Sequence, residues 1–250
     1  MTRLSAVVVT FNEERNIGRC LESLRAVADE IVVVDSFSTD NTEAICKQHN
    51  AKFIQRKWEG YSATKNFANN AASHDWILSI DADEALSEEL RKSIVEVKLQ
   101  DKPPACSFNR LTNYCGKWIR HAGWYPDVKV RIFDRRTASW QGSIHEELRF
   151  TTRPFPITHL EGDLLHYSYY TVDEHLKQTE KFTTLAAQSL FESGKRSNVF
   201  KLYTSPAAKF VQSYFLRLGV LDGYYGYKVS SISAYSNFLK YRKLMQLQKQ

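Results

Sequence analysis

The feature that most constrains this chain is a regular alternation of two residue patterns between residues 5 and 99. Short apolar runs rich in β-branched residues, typical of buried strands, alternate with segments whose apolar residues recur at helical spacing. This alternation favours a mostly parallel sheet with helices on both faces, which binds ligands at the carboxyl ends of its strands. The predicted elements are strands at 5–11, 30–35, 52–55 and 76–80, and helices near 16–28, 40–50, 62–72 and 87–99.

The pattern changes after Lys102, where Pro103 and Pro104 interrupt it. Short strand-like runs follow, and we expect them to form mixed edge strands. From about Thr171 to the end the chain has long helical stretches. We therefore predict an α/β domain over residues 1–170 and a helical, basic and aromatic extension over residues 171–250.

Cysteine content and hydropathy indicate a cytoplasmic protein. The four cysteines form no C-x-x-C pair, and a chain of 250 residues needs no disulfide framework, so we expect reduced thiols. The first apolar run is too short for a signal peptide. No window approaches the ~18 consecutive apolar residues of a membrane span, so we do not expect the chain to cross a membrane.

Charge is unevenly distributed along the chain. From Lys177 onward there are 12 Lys and Arg against three acids, a formal charge of +9, whereas residues 1–176 carry −3. A basic, aromatic tail suits an anionic membrane surface, a phosphorylated acceptor or a nucleic acid, and charge alone does not choose among them. In the alternative interpretation, the tail packs its apolar face on the domain and leaves its basic face solvated.

Polar residues follow three of the predicted strands, at one edge of the expected sheet. Asp81 and Asp83 project to the same side of an extended segment, so both can bind one hard cation. Chance alone gives roughly three acid-x-acid matches in a chain of this composition, so the position at a strand end is the stronger signal. Asp35 can accept from a ribose hydroxyl or a uracil imide, or from amides of its own loop.

Four segments in this order and spacing resemble the family 2 glycosyltransferases of the GT-A fold, which move a sugar from a nucleotide diphosphate donor. They are TFNEE (10–14), VVVDSFSTDNT (32–42), ATKNFA (63–68) and DADE (81–84).

The resemblance assigns roles to individual residues. It implies that the first segment and Asp35 hold the nucleotide, that Asp81 and Asp83 bind ribose and a divalent metal, Mg²⁺ or Mn²⁺, and that Lys65 lies near the nucleotide. Many members have a second acid where this chain has Ser36. The donor-binding residues of the first segment are Thr10, Phe11 and Glu13.

The middle of the chain is similar to the bacterial lipopolysaccharide core subgroup that adds glucose to inner-core heptose. The similarity lies in GKWIRHAGWYPDVKVRIF (116–133) and SIHEEL (143–148). It implies a UDP-sugar donor and a glycolipid or lipopolysaccharide-core acceptor. Together with the basic, aromatic tail, it leads us to expect an enzyme peripherally associated with the inner face of the cytoplasmic membrane, with no nucleic-acid partner.

An inverting transfer needs a base that deprotonates the acceptor hydroxyl. Asp127 is the first candidate, because it matches the acid that precedes a downstream arginine, here Arg131, in the family. A plain ion pair near Arg131 is the alternative role for Asp127. Glu146 is the second candidate base.

Four further residues near the candidate bases have expected roles. His145 beside Glu146 is a candidate metal ligand. Trp124 and Tyr125 can stack on a sugar of the acceptor. His121 is expected to be structural.

Two other functions compete with sugar transfer. A sugar nucleotidyltransferase shares the α/β architecture but needs a Gly- and Arg-rich loop after the first strand, and TFNEE contains no glycine. A basic nucleic-acid-binding protein would explain the high pI, but it explains neither the acidic front segment nor D-A-D at a strand end.

Overall fold

The computed structural model describes residues 2–100, 103–142, 146–151 and 156–249, and its contacts divide the chain into two compact units. The first unit comprises Met1–Arg110 and Asp127–His166, and the second comprises Leu111–Pro126 and Tyr167–Gln250. The sequence suggested a single boundary near residue 170. The structure differs in assigning Leu111–Pro126 to the second unit as well.

The strands and helices follow the predicted alternation closely as far as residue 98. In chain order they are β1 (Leu4–Thr10), α1 (Ile17–Leu24), β2 (Glu30–Asp35), α2 (Thr42–Gln48), β3 (Lys52–Gln55), α3 (Tyr61–Ala71), β4 (Trp76–Asp81), β5 (Glu84–Leu86), α4 (Glu88–Lys98), β6 (Ala105–Tyr114), β7 (Lys117–Ile119), β8 (Val128–Asp134), β9 (Ala138–Gln141), β10 (Glu147–Phe150), β11 (Ile157–Tyr169), α5 (Val172–Glu192), α6 (Val199–Val211) and α7 (Gly223–Leu247).

The main sheet has the strand order β3-β2-β1-β4-β8-β6-β11-β5. β3, β2, β1 and β4 are parallel, and β8 then pairs antiparallel with β4 and with β6. The expected α/β fold is therefore confirmed. β6 and β8 lie inside this order, while β9 and β10 form a separate two-stranded sheet.

Alternate residues of β1 face opposite layers of the first unit. Leu4, Ala6 and Val8 belong to a buried cluster that includes apolar residues of α1 and α4. Val7 belongs to a second cluster, which includes Ala68 of α3. Both faces of a parallel strand are thus covered by helices, as the unbroken apolar run of β1 predicted.

An aromatic cluster forms the core of the second unit around Tyr114, which is fully buried. Its neighbours are Trp124, Tyr169, His175 and Tyr225, with ring centroids 5.3–5.9 Å from that of Tyr114. His175 is buried, and its Nδ1 lies 3.1 Å from the Tyr114 hydroxyl. Tyr225 of the tail therefore packs in the core of this unit.

The helical extension expected after Thr171 is present as α5, α6 and α7. Thr171 and Glu174 form a capping box at the start of α5. Within the described ranges, no helix combines the length and the apolar character that a membrane span requires.

We predict that the second unit loses stability between pH 7 and pH 5. Burial lowers the pKa of His175 from 6.5 to about 4, so in this range the unfolded chain binds a proton that the folded chain does not. The stabilisation is complete above pH 6.5 and is lost as the pH falls towards 4. The expected decrease from pH 7 to pH 5 is about 2 kcal/mol, measured by urea unfolding monitored by near-ultraviolet circular dichroism.

His175→Gln is the matched control, because glutamine retains hydrogen-bonding groups and does not titrate. Between pH 7 and pH 5, the variant should lose less stability than the wild type, by about 2 kcal/mol. Equal pH dependence in both proteins would contradict the assignment to His175.

Candidate active site

Three strand ends meet at one edge of the main sheet. The parallel register places Thr10 opposite Asp35 and Val9 opposite Asp81. The loops after β1 and β2 are joined by hydrogen bonds, since the Asn12 amide donates to Ser38 Oγ at 2.7 Å. The residues predicted to lie at these three strand ends therefore share one region of the first unit.

The last residue of β1 and the segment after it offer a hydroxyl, an aromatic ring and a carboxyl group. Among the described residues, the buried Thr10 Oγ1 has no hydrogen-bond partner. The Phe11 ring is 56% exposed. Burial raises the pKa of the Glu13 carboxyl against the opposing hydrogen bond from Asn16, and the charge of Asp83 raises it further.

Asp35 is fully buried at the end of β2. Its carboxylate accepts a hydrogen bond from the Ser38 amide at 2.8 Å and another from the Ser38 hydroxyl. This geometry matches the alternative in which Asp35 accepts from its own loop. A buried carboxylate with these donors can fix the loop beside Thr10.

Asp81 lies between two buried cations. Lys65 Nζ is 2.9 Å from Asp81 Oδ1 and 3.0 Å from Glu146 Oε1, and Arg131 Nη2 is 3.0 Å from Asp81 Oδ2. These cations outweigh the effect of burial and hold the pKa of Asp81 well below its usual range. Asp81 is therefore ionised at neutral pH, and it shares the Lys65 ammonium with Glu146.

Glu84 supports this arrangement from the interior. Its carboxylate is fully buried and accepts from Arg131 Nη2 at 3.0 Å and from the Asp81 amide at 2.9 Å. Arg110 Nη1 lies 3.5 Å from it. A buried charge is tolerated only when it is paired in this way.

Glu84 and Arg110 have no role predicted from the sequence. The one local feature that could have indicated Glu84 is its position directly after the D-A-D segment.

Asp127 is paired with two cations other than Arg131. Arg110 donates to Asp127 Oδ2 through Nη2 at 2.8 Å and through Nε at 3.0 Å, and Lys129 Nζ lies 2.9 Å from Oδ1. Burial opposes the effect of these cations, but the pKa of Asp127 is lowered overall. Arg131 instead pairs with Asp81 and Glu84.

Asp83 lies beside a histidine that the sequence reasoning missed. His166 Nε2 is 3.2 Å from Asp83 Oδ2, and both side chains are partly buried. The antiparallel pairing of β11 with β5 places His166 opposite Glu84. This contact joins residues 83 positions apart, so no local pattern could reveal it.

The sequence predicts a divalent metal at Asp83. Among the described residues, no group of three or more His, Cys, Asp and Glu side chains is arranged as a metal site. Asp83 and His166 do offer a carboxylate oxygen and an imidazole nitrogen side by side, a donor set that fits a divalent transition metal completed by substrate oxygens. The expected ligand His145 lies outside the described residues.

The two aromatic residues expected to bind the acceptor belong to the second unit. The Trp124 ring packs in the cluster around Tyr114, with a centroid distance of 5.7 Å. The Tyr125 ring lies under the Arg120 guanidinium, 5.5 Å from its centroid. Trp124 therefore packs in the core of the second unit, whereas Tyr125 contacts the Arg120 guanidinium.

Comparisons with known proteins identify the family of this chain. The family model described as Glycosyl transferase family 2 matches residues 5–165. An uncharacterized glycosyltransferase of Rickettsia typhi is 31% identical over 257 residues, covering 99% of this chain and 88% of the relative. The lipopolysaccharide core biosynthesis glycosyltransferase LpsC of Rhizobium meliloti is 32% identical over 224 residues, covering 85% and 80%.

Among solved structures, the chain is similar to Staphylococcus aureus TarS 1–349, crystallised in complex with UDP. The match is 17% identical, covers 100% of this chain and 92% of that chain, and has a TM-score of 0.49.

We predict that Glu84→Gln destabilises the first unit by roughly 3 kcal/mol, because removing one partner of a buried ion pair leaves Arg131 undercompensated. Urea unfolding at neutral pH measures the loss. The control is Glu89→Gln on the exposed side of α4, expected to change stability by no more than about 0.5 kcal/mol. Similar stabilities for the two variants would contradict a supporting role for Glu84.

Proposed function

The chain belongs to glycosyl transferase family 2 and is a nucleotide-sugar-dependent glycosyltransferase, and we propose that it moves a hexose from a UDP-sugar to a lipid-linked glycan with inversion at the anomeric carbon. The observation that carries this proposal is the pairing of Asp83 with His166 directly beside the Lys65, Asp81 and Arg131 network. It supplies a metal-binding pair and buried cations at the sheet edge where a nucleotide is expected.

The residues after β1 supply the contacts for the nucleoside. The exposed Phe11 ring can stack on the base, and Thr10 Oγ1 can bond to the ligand in place of the partner it lacks among the described side chains. Asp35 and Glu13 contribute carboxyl groups at the same edge. Asp81, oriented by Lys65 and Arg131, is available to a ribose hydroxyl.

A divalent metal held by Asp83 and His166 would neutralise the charge that grows on the leaving diphosphate. A mixed oxygen and nitrogen donor set suits Mn²⁺ better than Mg²⁺, because imidazole is the softer ligand. Lys65 and Arg131 provide fixed positive charge near the expected position of the diphosphate.

Glu146 is the base that the contacts support best. It shares the Lys65 ammonium with Asp81, and the contacts of 2.9 and 3.0 Å bring the two carboxylates within about 6 Å of each other. Asp127, the first candidate from sequence, is held by Arg110 and Lys129, and its lowered pKa makes it a weaker base. In this arrangement Asp127 fixes the position of Arg110.

The chemical step needs one proton transfer. Glu146 takes the proton of the acceptor hydroxyl, and the hydroxyl oxygen bonds to the anomeric carbon from the face opposite the diphosphate. The bond from that carbon to the diphosphate oxygen breaks, and the nucleoside diphosphate leaves with the electron pair.

The acceptor and the cellular site form the finer part of the proposal. Similarity to a lipopolysaccharide core enzyme supports a lipopolysaccharide-core acceptor. The basic and aromatic second unit supports peripheral association with an anionic membrane, on its cytoplasmic side.

We predict that His166→Gln and Asp83→Asn each weaken Mn²⁺-dependent UDP binding at least about tenfold, since even outer-shell changes at metal sites cost 10- to 100-fold. Isothermal titration of UDP with and without Mn²⁺ measures the effect. His159→Gln is the control, because His159 lies on the same strand and is exposed. Unchanged Mn²⁺ dependence in both site variants would overturn the metal assignment.

We also predict that Glu146→Gln lowers the transfer rate by ~10²- to 10⁴-fold, the usual contribution of a general base. UDP affinity should change little, because the amide oxygen can still accept from Lys65. Asp127→Asn should retain most of the rate. UDP release from UDP-glucose with a truncated lipopolysaccharide core as acceptor is the measurement, and an inactive Asp127→Asn beside an active Glu146→Gln would return the role to Asp127.

A further inference from the structure

The second unit contains an open cleft that the proposed donor site does not use. Its volume is about 440 Å³, which is within the range of small-ligand sites. It is formed by the loop before β8 and by the turn between α6 and α7. The lining side chains that bear on its chemistry are Arg120, His121, Tyr125, Leu216, Arg217 and Leu218.

The two arginines of the cleft lack acidic partners. Within the part of the chain that the structure describes, neither Arg120 nor Arg217 forms an ion pair, and both are exposed. The buried carboxylate of Asp222 is already occupied, since it accepts from the His121 amide at 2.8 Å and lies 2.9 Å from His121 Nδ1. The charge of the two guanidinium groups is therefore available to an anion.

Asp222 also fixes the orientation of the His121 ring. Because Nδ1 is committed to the carboxylate, Nε2 is the nitrogen left for a ligand. His121, expected from sequence to be structural, thus adds a third nitrogen group to the lining of the cleft.

The backbone of Gly123 lies close to the Arg217 side chain. A Cβ on Gly123 would lie 2.2 Å from Arg217 Nη1, so only glycine lets the guanidinium occupy this place. Ala122 and Leu218 adopt the left-handed region with φ of 58° and 54°. Such backbone conformations cost about 1 to 3 kcal/mol each and concentrate at functional sites.

The surroundings of the cleft are positively charged. Burial lowers the pKa of Lys209, and the neighbouring charges of Arg217 and Lys240 lower it further. The second unit as a whole has 14 Lys and Arg against five Asp and Glu, a formal charge of +9. An anionic ligand is therefore attracted to this unit before it makes contact.

Exposed leucines flank Arg217 on both sides. Leu216 is 75% exposed and Leu218 is 50% exposed, and both line the cleft. Leu221, in the short turn that follows, is also exposed. Apolar side chains exposed beside two neighbouring cations are typical of proteins that contact an amphiphile with an anionic head.

We propose that this cleft binds a phosphate group carried by a lipid-linked glycan, the acceptor of the reaction proposed above, on which this inference therefore rests. Planar guanidinium groups bind phosphate oxygens through paired hydrogen bonds. Two guanidinium groups offer more donors than a carboxylate with two oxygens can use, whereas a phosphate has enough oxygens for both. Leu216 and Leu218 contact the apolar part of the same molecule.

The test compares phosphatidylcholine vesicles doped with phosphatidic acid against vesicles doped with phosphatidylserine to the same surface charge. The wild-type protein should prefer phosphatidic acid about tenfold, because a charge-assisted hydrogen bond to a well-matched phosphate contributes roughly that factor. Arg217→Gln should abolish the preference, and Gly123→Ala should reduce it by displacing the guanidinium. Cosedimentation gives the affinities.

The matched control is Arg242→Gln, which removes an exposed charge of the same unit outside the cleft. It should weaken binding to both vesicles equally and keep the preference. Absence of a preference in the wild type, or its persistence in Arg217→Gln, would overturn the phosphate site.

Two further measurements separate the possible sources of phosphate. Leu216→Gln should weaken vesicle binding while leaving the affinity for inorganic phosphate, measured by titration, unchanged. If Leu216→Gln binds vesicles as the wild type does, the lipid-linked ligand is wrong. UDP titration on the wild type tests the donor site independently, so failure of the proposed function and failure of the cleft proposal give different results.

Discussion

The burial of Glu84 and Arg131 at the end of β4 is the constraint on which the rest of the site depends. A carboxylate removed from water is stable only with close cationic partners, and Arg131 meets this need while its Nη2 also contacts Asp81. Asp81 in turn shares Lys65 with Glu146. A single buried pair thus fixes an alternating chain of charges that ends at the proposed base.

The sheet topology brings further side chains of the proposed site next to this network. The parallel register aligns the ends of β1, β2 and β4, which brings Thr10, Asp35 and Asp81 to one edge. The antiparallel return of β11 to β5 adds His166 next to Asp83. The proposed donor contacts come from the parallel strands, whereas the second proposed metal ligand comes from the antiparallel part.

The division of charge between the two units matches the chemistry that each is proposed to perform. The first unit has a formal charge of −3 and pairs the buried cations Lys65 and Arg131 with carboxylates at the proposed donor site. The second unit has a formal charge of +9 and leaves Arg120 and Arg217 without acidic partners among its described residues. Such a separation suits the two proposed ligands, a metal-bound donor for the first unit and an anionic acceptor for the second.

The sequence by itself determined the strand and helix alternation, the strand-end positions of Thr10, Asp35, Asp81 and Asp83, and the basic character of the tail, because these depend on local periodicity and on motifs. Only the tertiary structure decided the partners. It joined His166 to Asp83, paired Asp127 with Arg110, and placed residues 111–126 in the second unit, where Gly123 meets Arg217. These pairings connect residues far apart in the chain, and packing and register, which no local pattern encodes, bring them together.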